Sequence, residues 1–168
     1  MAAKKSESKE LSTYFIFKVA RELFAVDVGS VLNVLELSEP ARIPETPDYL
    51  MGIINVQGDL LPVVEARKKF GLISGAYGRD ACILSLSIKS QTEQFRLGIK
   101  VDRARDVLTI ENNEVENVPD MGLNLNPDYV KGIINKNEEI IFILDIDEIF
   151  SHEEVTAIKQ FETNQKDE

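Results

Sequence analysis

The side chains able to do chemistry are few. His152 is the only histidine and Cys82 the only cysteine in the 168 residues, so neither a Cys-His nucleophile pair nor a histidine-based metal cluster can be assembled from one chain. Cys82 lies in the apolar run Ala81-Cys82-Ile83-Leu84 and reads as a small buried hydrophobe with no partner for an intramolecular disulfide. His152, in Ser151-His152-Glu153-Glu154, could accept a phosphoryl group only beside a dimerising helical hairpin and an ATP-binding domain. The competing reading places it in the first turn of a helix capped by Ser151. Asp145, Asp147 and Glu148 form an acidic cluster that could hold magnesium and support a small metal-dependent hydrolase. The same carboxylates follow a β run and open a predicted helix, where unpaired amides and the positive dipole end also favour them. Gly71, Gly75 and Gly78 lack the Lys-Ser/Thr ending of a phosphate-binding loop and read as a linker. Arg67-Lys68-Lys69 is the one basic cluster, with no aromatic platform for bases beside it. The residues therefore predict no catalytic group and no cofactor, with the acidic cluster as the one metal candidate.

The net charge of −10 is spread along the whole chain. Such a field repels phosphate backbones and anionic lipid surfaces, which argues against nucleic acid and direct membrane binding. No run of ~18 apolar residues is present to span a bilayer, and the first residues lack the apolar core of a secretory signal. A cytoplasmic location is expected. Residues 1–12 and 163–168 are polar enough to be read as flexible ends, leaving 13–162 as the folded region.

The elements that must position any site are mostly strands. Tyr14 to Val19 and Leu23 to Val28, joined by Ala20-Arg21-Glu22, read as a hairpin, and the shape recurs at Cys82 to Ile88 and Phe95 to Val101. Ile53 to Val56 and Leu60 to Val64 flank a Gln57-Gly58-Asp59 turn in which Gly58 supplies a positive φ. Ile133 to Asn135 and Ile140 to Leu144 make its counterpart. Short helices are expected at Val64–Phe70, stopped by Gly71, and at Asp145–Phe150. A final amphipathic helix from Ser151 carries Val155, Ile158 and Phe161 on one face. Glu111 to Asn126 is expected to be loop with a turn of helix.

Pro47-Asp48-Tyr49-Leu50-Met51-Gly52-Ile53-Ile54-Asn55 and Pro127-Asp128-Tyr129-Val130-Lys131-Gly132-Ile133-Ile134-Asn135 are identical at seven of nine positions. Unrelated segments would share about 0.5, so the chain carries a duplicated unit. Upstream, Ala25–Leu37 aligns without gaps on Gly98–Ile110. Two half-chains of this size are each marginal alone, and each offers about five short strands, which points to a pair of small antiparallel barrels sharing a core. Gly52 and Gly132 fall at the same place in the two copies, where a bulge or a close backbone approach is expected and a partner contact is the alternative. Val28, Val31 and Val34 recur every three residues with Leu32 and Leu35 interleaved. They either pack between the halves or form a protein-binding patch.

Taken in order and spacing, Tyr14-Phe15-Ile16-Phe17, Phe24-Ala25-Val26-Asp27-Val28, Ile43-Pro44-Glu45-Thr46-Pro47, Tyr49 to Gly58, Leu61 to Leu72, Gly98 to Asp102 and Ile143 to Phe150 resemble the CheW family of chemotaxis coupling proteins. The resemblance implies an all-β protein of two interleaved, five-stranded SH3-like barrels, related by a pseudo-two-fold repeat, with short helices and a C-terminal helix. It implies a non-enzymatic scaffold without cofactor that couples chemoreceptor tips to the regulatory domain of a CheA-type histidine kinase. Such a scaffold would be a monomer when free and part of rings in arrays. Carried onto matching positions, the partner-binding residues are Val28, Val31, Asn33, Val34, Gly52, Gln57 and Gly58. The family's usual Asn-Leu-Arg-Gly is Asn55-Val56-Gln57-Gly58 here, and its usual Val-Asp-Leu-Arg is Val64-Glu65-Ala66-Arg67. Glutamine cannot replace the charge and donor fork of arginine, which opens the alternative of an auxiliary adaptor in a non-flagellar chemosensory pathway.

Overall fold

The computed structural model of the chain describes residues 10–73, 75–89, 93–118 and 127–166. Short-range sequence decides its hairpins. Strands β1 (Leu11–Val19) and β2 (Glu22–Asp27) turn at Ala20-Arg21, with Ala20 at φ 55. Strands β4 (Leu50–Val56) and β5 (Asp59–Glu65) turn at Gln57 (φ 53) and Gly58 (φ 92). Strands β10 (Val130–Lys136) and β11 (Glu139–Leu144) turn at Asn137 (φ 54) and Glu138 (φ 65). In the β4–β5 and β10–β11 hairpins two central residues at positive φ give the turn the same twist as the strands it joins. The Asn55 Oδ1 accepts the Gly58 amide at 2.8 Å and fixes the β4–β5 turn further. The remaining elements are β3 (Val31–Glu36), α1 (Ala66–Lys69), β6 (Cys82–Lys89), β7 (Gln94–Val101), β8 (Arg103–Glu111), β9 (Val115–Glu116) and α2 (His152–Lys166), with 3-10 turns at Val28–Ser30, Asn112–Glu114 and Pro127–Tyr129.

The strands form two sheets, β8-β1-β2-β11-β10-β9 and β3-β6-β7-β5-β4. This is the expected all-β pair, with one sheet of five strands and the other extended by the two-residue β9. The halves exchange hairpins. The β6–β7 hairpin of the second half is inserted between β3 and β5 of the first, and β1–β2 of the first half between β8 and β11 of the second. The two parallel junctions correspond: Ala25 pairs with Ile143, and Gly98, aligned with Ala25, pairs with Val63, aligned with Ile143. Even the irregularities repeat. A bulge in β3 between Val31 and Asn33 lets Val31 and Val34 face Leu86 and Leu84, and a bulge in β8 lets Ala104 and Val107 face Phe17 and Phe15.

Each sheet has one edge closed by its own chain. Ala41 exchanges two backbone hydrogen bonds of 2.9 Å with Ile53 on β4, and β9 pairs Glu116 with Ile133, the equivalent position, on β10. These covers explain the repeated glycines. A Cβ at Gly52, where φ is +140, would stand 2.1 Å from the Ala41 carbonyl oxygen, and one at Gly132 would stand 2.6 Å from Val115 Cγ1. Both lie at register shifts of their hairpins. The structural expectation for these positions holds.

One main core runs through both sheets. Phe24 on β2 packs against Phe17, Phe70 and Phe142 at centroid distances of 6.0, 5.2 and 6.0 Å, joining elements of both halves. Some boundaries differ from expectation. Leu11 and Ser12 are already in β1, paired with Glu111 and Ile110, so the ordered region begins inside the segment read as a flexible end; residues 1–9 lie outside those described. The C-terminal helix continues to Lys166, past the boundary expected at 163, and the side chain of Phe161 lies outside the described residues. The helix expected at Asp145–Phe150 is a single turn, closed by Glu148 N to Asp145 O at 3.0 Å. It delivers Ile146, Ile149 and Phe150 to the core. Beyond it Ser151 and Glu154 bond each other's backbone amides at 3.1 and 3.0 Å, a capping box that starts α2 afresh. Val64 and Glu65 belong to β5, which shortens the helix expected at Val64–Phe70, and Gly71 (φ 71) ends it as foreseen.

Replacing Gly52 by alanine combines a forbidden φ with a clash against backbone, so Gly52→Ala should cost about 2 kcal/mol or more. Gly132→Ala meets a side-chain methyl that can move and should cost less. Urea unfolding of both variants checks the order.

Candidate partner-binding surface

The aligned valines are brought together where β2 turns into β3. Asp27 Oδ1 accepts the Gly29 amide at 2.8 Å and caps the 3-10 turn Val28–Ser30. Val28 is then presented at 38% exposure, and β3 continues with Leu32 at 43% and Val34 at 51%. Asn33 is exposed, whereas Val31 is half-buried and packs against the main core. The two readings of this run thus divide by residue: Val31 serves the core, and Val28 and Val34 serve the surface. No ladder partner covers the outer edge of β3 among the described residues. No charge interrupts residues 28–35 in a chain of net charge −10, so the strip lacks the charged side chains that usually blunt an open edge.

Gln57 and Gly58 are exposed at the tip of the β4–β5 hairpin, on the far side of the strand order from β3. Gly52 is different. It is buried under the backbone of Ala41, so its expected place on the partner surface is corrected to a role in closing β4. The internal repeat also adds a residue that sequence reasoning passed over. Val107, which aligns with Val34, is 53% exposed on β8, the open edge of the other sheet. The 3-10 turn Val28–Ser30 touches β1 and β6, and β6 touches β8, so the two open edges flank the seam between the sheets. The gapless alignment of Val34 with Val107 was the available signal.

The charged groups that are buried are committed to holding the body together. Arg67 pairs with Asp102, both side chains little exposed, through its Nε at 3.1 Å and through Nη2. The same carboxylate accepts the Ala20 amide at 2.6 Å. Asp102 holds the guanidinium in its charged form more firmly still, raising its pKa against the opposing effect of burial. Lys69, whose side chain is 8% exposed, pairs with Glu154 on α2 at 2.9 Å. Its Nζ stands 4.8, 5.4 and 5.1 Å from the ring centroids of Tyr49, Tyr129 and Phe150. Tyr49 and Tyr129 come from the duplicated segment, so the repeat supplies two walls of one cation–π cage. Tyr49 also donates its hydroxyl to Glu154. Burial of Tyr49, reinforced by that carboxylate, pushes its pKa up. Burial of Glu154 alone would raise its pKa, but the Ser151 amide, Tyr49 and Lys69 outweigh it and hold the carboxyl below its ordinary value.

The metal candidate does not assemble. Asp147 accepts the Lys89 amide at 2.8 Å, and among the described residues no three acidic, histidine or cysteine side chains converge on a point. Cys82 is buried, and that burial pushes its thiol up, away from the reactive thiolate. No helix of the described residues is long and apolar enough to cross a membrane.

A family model, the CheW-like domain, matches residues 13–154. Among curated proteins, the chemotaxis protein CheW of Thermotoga maritima is 30% identical over 143 residues, covering 84% of this chain and 87% of that protein. That of Helicobacter pylori is 29% identical over 150 residues, covering 88% and 86%. Among solved structures, the scaffolding protein TtCheW of Thermoanaerobacter tengcongensis superposes with a TM-score of 0.74 at 28% identity, over 84% of this chain and 89% of that one.

Two outcomes follow from the buried pairs. Asp102→Ala leaves Arg67 and the Ala20 amide without their acceptor and should cost about 3 kcal/mol in urea unfolding. Glu154 carries a depressed folded pKa, so its contribution is complete above the ordinary 4.5 and is lost as pH falls below that value. Near-ultraviolet dichroism of the tyrosines should therefore show α2 loosening in acid, and Glu154→Gln should remove that part of the pH dependence.

Proposed function

We propose that this chain, which belongs to the CheW family, is a non-catalytic cytoplasmic scaffold that couples chemoreceptor tips to the regulatory domain of a CheA-type histidine kinase. The observation that carries the reading is the uncharged strip Val28, Leu32 and Val34 on an open edge of a sheet. Exposed apolar residues gathered on one edge are a mark of protein–protein contact. Around it, Asn33 completes the first contact surface over the half-buried Val31, which packs on the core, and Gln57 and Gly58 at the opposite hairpin tip offer a second. Val107 extends the first surface across the seam.

Two contact surfaces on one rigid body are what a coupling protein needs, because a link between two partners requires both to be held at once. With different surfaces meeting different partners, the contacts are heterologous, and such contacts close into rings when the rotation allows. Coupling of receptor to kinase is then a free energy shared between binding sites. The free protein is a monomer in this account. Gln57 favours a second reading, an auxiliary adaptor of a non-flagellar chemosensory pathway, because the arginine usual at this place in the family is absent.

Calorimetric titration against a CheA-type regulatory domain and against a receptor cytoplasmic tip tests the proposal. Binding of both is expected, with Val34→Asp weakening at least one by about tenfold or more while leaving unfolding unchanged. No heat with either partner at high micromolar concentration would remove the claim. Gln57→Arg separates the two readings: stronger incorporation into chemotaxis arrays favours the auxiliary role.

A further inference from the structure

The ladders that complete both sheets run between the halves. β1 pairs with β8, β2 with β11, β3 with β6 and β5 with β7, and the covalent connection from α1 to β6 takes no part in them. A second copy of the chain presents the same edges. The first half of one copy is therefore as complementary to the second half of another copy as to its own, and only the path of the connection distinguishes the two pairings.

That path is fastened at one point. Gly75 to Asp80 contains no helix or strand, and its residues are exposed except for the half-buried Tyr77. The Tyr77 ring centroid lies 4.2 Å from the guanidinium of Arg67, in the first half, and 4.0 Å from Nζ of Lys100, in the second. Its hydroxyl donates to Glu65 at 3.3 Å. Cations against an aromatic face attract it, so one side chain holds the connection to both halves beside the buried Arg67–Asp102 pair. Gly75 and Gly78 stand on either side of Tyr77, and a Cβ at Gly78 would meet nothing within 4 Å. Neither packing nor a side chain fixes the backbone at Gly78, and glycine is free to turn there.

We propose that Tyr77 is a latch that keeps the chain monomeric, and that with the latch open two copies exchange halves, the first half of each completing the second half of the other. Gly75–Asp80 is the hinge. Straightened, its six residues reach about 20 Å, which turns a return path into a bridge between two bodies and draws Tyr77 off Arg67 and Lys100. Each body of the dimer keeps every ladder, the main core and the Arg67–Asp102 pair, now formed between copies. What it gives up is the Tyr77 contacts. Exchange of identical elements through a hinge leads directly to a dimer, and because buried ladders hold the halves, the two forms interconvert only through unfolding. The exchanged dimer presents the β3 strip and the Gln57 tip twice. The inference goes beyond the coupling role and does not depend on it.

The full-length protein and its variants Tyr77→Ala and Tyr77→Phe are unfolded in urea, refolded at millimolar concentration and resolved by size-exclusion chromatography with light scattering. The ratio of dimer to monomer should rise about tenfold or more in Tyr77→Ala, whereas Tyr77→Phe, which keeps the ring between both cations, should stay near the unchanged protein. A dispersed spectrum of the Tyr77→Ala monomer controls for folding. The isolated dimer should survive dilution for hours and revert to monomer after a passage through urea at low concentration. Its 15N correlation spectrum should match that of the monomer except at residues 75–80 and at the Glu65, Arg67 and Lys100 amides. No dimer from any of the three proteins, equal dimer in Tyr77→Ala and the unchanged protein, or a Tyr77→Phe variant that dimerises like Tyr77→Ala would overturn the proposal. So would a dimer that falls apart on dilution, or one whose shifts gather on β3 or at Gln57. Calorimetry of the purified monomer with the kinase regulatory domain reports separately on the coupling role.

Discussion

Two short parallel pairings, β2 with β11 and β5 with β7, are the constraint on which the rest of the molecule depends. Each joins a hairpin of one half to the sheet of the other, so neither half contains a complete sheet. The exchange explains how two marginal repeats yield one body. The apolar faces of the β1–β2 and β6–β7 hairpins are buried only where the opposite half supplies neighbours, and the main core accordingly mixes Phe17 and Phe24 with Phe142, and Leu84 and Leu97 with Val64. The cost is kinetic, because strands far apart in sequence must meet before either sheet is rewarded.

On this shared frame the copies have specialised. The repeat keeps what geometry demands: the bulge that aligns Val31 with Val34 and Ala104 with Val107, the covered edges at Ile53 and Ile133, and the glycines beneath them. Elsewhere it has been spent on difference. Tyr49 and Tyr129 now form one cage around Lys69, tying α2 to the strands through Glu154. Arg67 and Asp102 seal one junction, whereas at its equivalent Asp147 accepts the Lys89 amide. The β3 edge is apolar and uncharged, whereas β8 carries Arg103, Arg105 and Asp106 around Val107, with Arg105 paired to Glu139 at 2.8 Å. A body with buried charges committed to its frame and unlike outer edges is suited to holding different partners in fixed relation.

The hairpins were legible because their turns and apolar runs are local signals, and the duplication was legible because seven of nine residues survive in the repeated segment. Strands β3 and β8 were not, since a bulge in each ladder turns the usual alternation of two into a spacing of three between the residues that share a face. The exchange of hairpins left no trace in either half, because both partners of each parallel pairing are ordinary apolar runs. Asp145–Phe150 misled for a related reason: acids ahead of isoleucines suggest a helix, but the Ser151–Glu154 capping box ends one turn and begins another. At the candidate surface the exposed valines could be picked out by type, and only the fold could separate Val31 from Val34 or bury Gly52 beneath Ala41.

The central claim, that the halves are completed only by each other, is open to one direct measurement. Residues 1–78 and 79–168 are prepared as separate chains, and the 15N correlation spectrum of each is recorded alone and after mixing in equal amounts. The account predicts collapsed amide dispersion for each piece alone and recovery of the intact protein's spectrum in the mixture. A native-like, dispersed spectrum from either piece by itself would contradict it.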